Sequence, residues 1–176
     1  MDGNYFNNKY KVDSARLSDW DYSWAGYYFF TICTRDCENY FGEIKNGTMG
    51  LNELGCTVWK YWYELPRHYS ECILDEFIVM PNHIHGIIQI IELCRRDGAC
   101  PVSTKYKQHS LSNMIGSLKS ACSKTIHKNH DIYFQWQSRF HDHIIRIDTE
   151  SLEKIRYYIR CNPAIWRQDK NNVDKN

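Results

Sequence analysis

The sequence predicts an α+β protein, with one antiparallel β-sheet covered by helices. Two observations predict it. Short runs rich in β-branched and aromatic residues, such as YYFFTICTR at 27–35 and HIHGIIQIIE at 83–92, alternate with stretches whose apolar residues recur at helical spacing. The 176 residues, 43% of them apolar, also suit one domain with a core of its own.

Taken in order, residues 1–20 are polar with scattered aromatics and read as a flexible arm, followed by one domain over 21–168 and a tail over 169–176. Residues 27–35 form the first strand. The segment LNELGCTVWKYWYELP places Leu51, Leu54, Val58, Trp59 and Trp62 on one helical face, and Pro66 is expected to end that helix. ILDEFIVM at 73–80 is the second strand, Pro81-Asn82 a turn, and 83–92 the third strand. Residues 94–109 read as an exposed loop. A second helix follows, with an apolar stripe of Leu111, Met114, Ile115, Leu118, Cys122 and Ile126. FQWQSRFHDHIIRI reads as extended, with a kink near Ser138. Asp148 is the expected N-cap of a last helix from Thr149 to about Cys161, closed by Pro163. The order βαββαβ plus a terminal helix is the ferredoxin-like pattern, which by itself licenses no function.

The net charge of +1 argues for no particular partner. Its distribution says more. Residues 1–93 hold 7 Lys/Arg against 13 Asp/Glu, whereas residues 94–170 hold 14 against 7, so the second half can present a basic face to phosphates. The eight cysteines include no Cys-x-x-Cys pair and match no zinc framework. With no apolar leader and no run of spanning length, the expectation is a cytoplasmic, nucleoid-associated protein with free thiols and no membrane partner.

Two features carry chemistry. His83 and His85 lie two apart on a strand, so both rings point to one face, roughly 6–7 Å apart at the backbone, where they can share a divalent metal. Alone, the pair also suits the blander reading of two polar residues on a solvent-facing side. On the last helix, Leu152, Ile155 and Ile159 form a stripe facing the sheet. Tyr158 and Asn162, about 40° apart on the wheel, share one edge of it. Tyr157 points roughly the opposite way. Read separately, Tyr158 also suits a boundary aromatic and Asn162 a C-cap.

MPNHIHGII, with YYFFTICTR before it and WQSRFHDHIIR…YYIRCNPA after it, resembles the single-tyrosine HUH transposases, most closely the REP-associated tyrosine transposases. The resemblance runs from Asp21 to Trp166. It implies metal ligands at His83, His85 and Asn162, and a nucleophile at Tyr158. It also implies a divalent cofactor, Mg²⁺ or Mn²⁺, and cleavage and rejoining of single-stranded DNA through a 5′-phosphotyrosine at hairpin-flanked sites. Relatives act as monomers or homodimers. The transesterification conserves bond energy and needs no ATP, in keeping with the lack of a Gly-rich phosphate loop.

His143, in a second His-x-His with His141, is expected to orient a ligand from behind rather than bind metal. Arg95, Arg96, Lys119, Arg139, Arg146, Arg156 and Arg160 are candidate phosphate contacts, joined by Lys105, Lys107, Lys124 and Lys128. Trp136 and Tyr106 are candidate base-stacking platforms. A non-catalytic protein that binds hairpin or single-stranded DNA is the alternative reading. A small-molecule metallohydrolase is a third, and would need a concave apolar pocket beside the histidines.

Overall fold

A computed structural model describes residues 20–93, 108–130 and 133–172, together with the backbone of two short strands, β1 (Tyr5–Phe6) and β2 (Tyr10–Lys11), which pair with each other. The central sheet has four strands: β3 (Gly26–Cys33), β6 (Cys72–Val79), β7 (His83–Ile90) and β8 (His141–Ile145). Their spatial order is β6-β7-β3-β8, and every pairing is antiparallel. The helices are α1 (Glu53–His68), α2 (Leu111–Asn129) and α3 (Leu152–Cys161). This is the α+β, ferredoxin-like arrangement with an added C-terminal helix that the element order predicts.

Period-two alternation divides the sheet into two unlike faces. Tyr28, Phe30 and Ile32 of β3, with Ile84 and Ile88 of β7, join the α1 and α2 residues Val58, Trp62, Met114, Leu118 and Cys122 in the main core. The opposite face packs a smaller cluster of Ile87, Ile145 and Ile159, with Phe29 and Ile155 beside it. That second face is the one α3 covers, and it is where His83, His85 and Tyr158 lie.

Three local departures from the sequence expectation have physical causes. Pro66 does not end α1; the helix runs on to His68, and the Tyr69 amide still bonds to the Leu65 carbonyl. The φ of proline is compatible with a helix, its missing donor costs one bond, and buried Trp62 and Leu65 hold the last turn in place. The cap of α3 is Ser151, whose side chain accepts from the Lys154 amide, three residues beyond Asp148. An unforeseen hairpin, β4 (Gly42–Lys45) and β5 (Thr48–Leu51), turns at Asn46-Gly47, both at positive φ.

Gly86, between the two core isoleucines of β7, has no room for a side chain. A Cβ there would lie 2.6 Å from Cζ of Phe30 and 3.1 Å from the Phe77 ring. These rings also meet Trp62, which stacks on Phe77 at 4.3 Å between centroids. Gly86→Ala should therefore cost about 1–3 kcal/mol by overpacking, read as a lowered urea midpoint. An unchanged midpoint would mean that the ring packing is looser than described.

Candidate active site

Two buried imidazoles form the centre of the α3-side face. His83 and His85 are at most 1% exposed, and their Nε2 atoms lie 3.0 Å apart. The network around them assigns the His83 ring proton. The Asn82 Nδ2 donates to the carbonyls of Cys37 and Asn171, both at 2.8 Å, so its Oδ1 faces the other way, 2.8 Å from His83 Nδ1. His83 must then carry its proton on Nδ1, which leaves a bare Nε2. His85 Nδ1 lies 2.8 Å from the Thr31 hydroxyl, which can donate or accept, so this ring can hold its proton on either nitrogen. Phe29 stacks on His85 at 5.4 Å, and Trp166 covers His83 at 5.9 Å.

Burial lowers both imidazole pKa values to about 3, with further lowering from Lys170 for His83 and from His83 for His85. Both rings are therefore neutral at physiological pH, the form in which imidazole binds metal.

The chain supplies a carboxylate to the same place. After α3 a 3₁₀ helix, Asn162–Gln168, opens on Pro163 and turns the backbone back. Asp169 is 7% exposed, and its oxygen and the His83 and His85 nitrogens all lie within 4.8 Å of one another. The Asn171 amide holds its Oδ1 at 2.6 Å. The sequence reading placed Asp169 in a polar tail, where a lone acid carries no periodic signal; only the 3₁₀ return brings it to the histidines.

Asn162, the expected third ligand, is fully buried; its amide makes no well-aligned hydrogen bond among the described residues, and its side chain meets Tyr158. The donor set fits a divalent cation. Two nitrogens about 2.1 Å from one ion and about 90° apart would lie about 3.0 Å from each other, which is the separation of the two rings. A carboxylate lies within reach, and the buried Asn162 amide offers a further oxygen.

Tyr158 leans over this group as the helical wheel predicts. Its ring is 5.4 Å from His85 and 6.3 Å from Phe29, whereas Tyr157 is 65% exposed. Burial raises the Tyr158 pKa and the charge of Asp169 raises it further, while a hydrogen-bonding contact with the Asn162 side chain lowers it. At neutral pH the phenol is protonated. An open groove of about 530 Å³ runs from Tyr158 past Phe29, His141, His143 and Lys154.

The remaining expected site residues divide. His143 lies at this groove but pairs with Glu150 at 2.7 Å rather than with His83 or His85. Lys119 donates to the carbonyls of Gln137 and Ser138 at 2.6 and 3.3 Å, and burial lowers its pKa. Arg156 binds Asp75 and Glu153, and Arg160 binds Glu76. Arg139 and Arg146 are exposed, with no ion pair among the described residues. Arg95, Arg96, Lys105, Tyr106 and Lys107 lie outside the described residues. Trp136 is 9% exposed and packed between Phe41 and Phe134, so it presents no face to a base. No helix among the described residues is long and apolar enough to cross a membrane.

No protein-family model matches the chain. It is 39% identical over 168 residues to a Haemophilus influenzae protein described as uncharacterized, covering 92% of this chain and 93% of that one, and it belongs to one family with that protein. Among solved structures it is similar to a REP-associated tyrosine transposase bound to a REP hairpin, with a TM-score of 0.54 and 19% identity over 88% of this chain and 77% of that chain. At that identity the likeness is one of fold: the chain has the tyrosine-transposase fold.

The depressed imidazole values set a pH dependence. Between about pH 6.5 and 3 the unfolded chain takes up protons that the folded rings refuse, so their contribution to stability is complete above 6.5 and is lost as pH falls towards 3. Nitrogen-15 NMR should find both rings neutral at pH 5, with His83 protonated on Nδ1. An imidazolium signal from either ring at that pH would contradict the burial described.

Proposed function

We propose that the protein is a metal-dependent single-stranded DNA endonuclease and strand transferase, a transposase-type enzyme in which Tyr158 is the nucleophile. The observation that carries this reading is the meeting of Tyr158 with the paired imidazoles on one sheet face, 5.4 Å from ring to ring. The fold supports it, since the solved structure that shares it is a tyrosine transposase bound to a REP hairpin.

His83, His85 and Asp169 would hold a divalent ion, Mg²⁺ or Mn²⁺, with the Asn162 oxygen a fourth donor. The buried amide supports this set, because no well-aligned hydrogen bond commits its oxygen elsewhere. When bound, such an ion polarises a phosphodiester and neutralises charge that develops on its oxygens. The protein's own groups do the rest. Asn82 holds the His83 proton on Nδ1 and keeps Nε2 bare. Phe29 and Trp166 cover the rings and limit access of water.

The Tyr158 Oη attacks the scissile phosphorus in line. The P–Oη bond forms as the P–O3′ bond breaks, the phenolic proton is lost, and the leaving 3′ oxygen takes up a proton. The result is a 5′-phosphotyrosine and a free 3′-hydroxyl, which a second 3′-hydroxyl reverses to join a new strand. Because burial and Asp169 keep the phenol protonated, the reaction depends on charge neutralisation beside it. The groove along Phe29, His141, His143 and Lys154 gives the strand a route to Tyr158, with exposed Arg139 and Arg146 near the β8 edge as phosphate contacts.

With hairpin or single-stranded oligonucleotides and Mn²⁺, the wild-type protein should form a covalent adduct that survives denaturing gel electrophoresis. Tyr158→Phe should abolish it and Tyr157→Phe should keep it. The reverse pattern would move the nucleophile to Tyr157. Salt-sensitive binding with no adduct under any divalent ion would leave a non-catalytic DNA-binding protein.

A further inference from the structure

Strand β6 contains an irregularity whose consequence reaches the nucleophile. Leu74 pairs with Ile88 and Phe77 with Gly86, so three steps along β6 face two along β7, a β-bulge. Leu74 and Phe77 both pack against the main core. In a regular strand Leu74 and Phe77 would face opposite sides, and one of Asp75 and Glu76 would face the core. The extra residue turns both carboxylates to the α3 side instead.

There they meet two arginines one helical turn apart. Asp75 takes both oxygens to Arg156, at 2.8 Å from Nε and 2.5 Å from a terminal nitrogen, and Glu76 binds Arg160 at 2.7 Å. Glu153, on α3 itself, bonds to Arg156 at 2.5 Å and pairs with Arg160 at 3.7 Å, holding the two guanidinium groups in place.

At 100° per residue, Arg156 and Arg160 flank the Leu152/Ile155/Ile159 stripe on one side, and Tyr158 and Asn162 flank it on the other. An apolar stripe alone fixes which face of α3 is buried but resists rolling only weakly. Ion pairs along one edge fix the roll, and with it the height of the phenol at the other edge. A tyrosine oxygen sits roughly 9 Å from the helix axis, so a roll of about 10° moves it about 1.5 Å. Displacement on that scale can cost about 10²-fold in rate.

We infer that Asp75 and Glu76 are positioning residues, which through Arg156 and Arg160 clamp α3 in cis and set the place of Tyr158 over the imidazole pair. Arg156 and Arg160 thus act on the helix rather than on DNA phosphates. The inference rests on the nuclease reading for its effect on cleavage, but the clamp itself can be judged without it.

The test uses the full chain in two arms. Hydrogen exchange followed by mass spectrometry compares wild type with Asp75→Ala/Glu76→Ala. The clamp predicts at least tenfold faster exchange across residues 152–161, with β3 and β7 unchanged; unchanged exchange in α3 overturns it. Single-turnover cleavage of a single-stranded oligonucleotide forms the second arm. Asp75→Ala and Arg156→Ala should each lower the rate constant about 10- to 100-fold, with KM within about threefold of wild type. The charge swap Asp75→Arg with Arg156→Asp should recover most of the loss, which a general folding defect would not. If Asp75→Ala tightens DNA binding while Arg156→Ala weakens it, the arginine grips phosphate and the inference fails. If the wild type forms no adduct, the functional reading fails instead, and the exchange arm alone decides the clamp.

Discussion

Alternation along β7 is the constraint on which the site depends. With Ile84, Gly86 and Ile88 committed to the main core, His83 and His85 have no choice but the opposite face. The face they enter is not wet. Phe29, Trp166 and Tyr158 surround them, and two polar rings at most 1% exposed must then satisfy each other and their neighbours. The cost of desolvation is what keeps the pair neutral. Neutrality leaves the pair able to serve as metal donors rather than as a second basic patch.

The surrounding chain is organised to hold that pair. Asn82 sits at the crossing of three segments: its amide fixes the His83 tautomer, the Cys37 turn after β3, and the Asn171 backbone beside Asp169. The last segment is brought there by the 3₁₀ helix that follows α3. One helix therefore delivers the phenol, and its continuation delivers the carboxylate. On the proposed reading, nucleophile and third metal donor belong to one rigid return of the chain, docked to the sheet by the Arg156–Asp75 and Arg160–Glu76 pairs.

Much of this was legible in the sequence because it rests on periodicity. The strand face of His83 and His85, and the turn of Tyr157 away from the stripe that Tyr158 borders, follow from counting residues. What was not legible depends on closure in three dimensions. Asp169 joins the histidines only after a 3₁₀ turn that opens on Pro163, where the sequence marks only the end of the last helix. Pro66 was read as an end and is the last turn of a helix held by buried Trp62 and Leu65. Arg156 and Arg160 read as candidate phosphate contacts because the bulge that turns Asp75 and Glu76 towards them leaves no mark in a pattern of alternation. Trp136, with an aromatic ring suited to stacking on a base, is instead spent on the core beside Phe41 and Phe134.

The central claim is that His83 and His85 clasp one divalent cation beneath Tyr158. Pulsed electron paramagnetic resonance of the protein loaded with one equivalent of Mn²⁺ tests it most directly. The account predicts nitrogen-14 couplings from two imidazoles, one of them lost in His83→Ala and the other in His85→Ala. A bound Mn²⁺ with no nitrogen coupling, or with couplings that survive both substitutions, would contradict it.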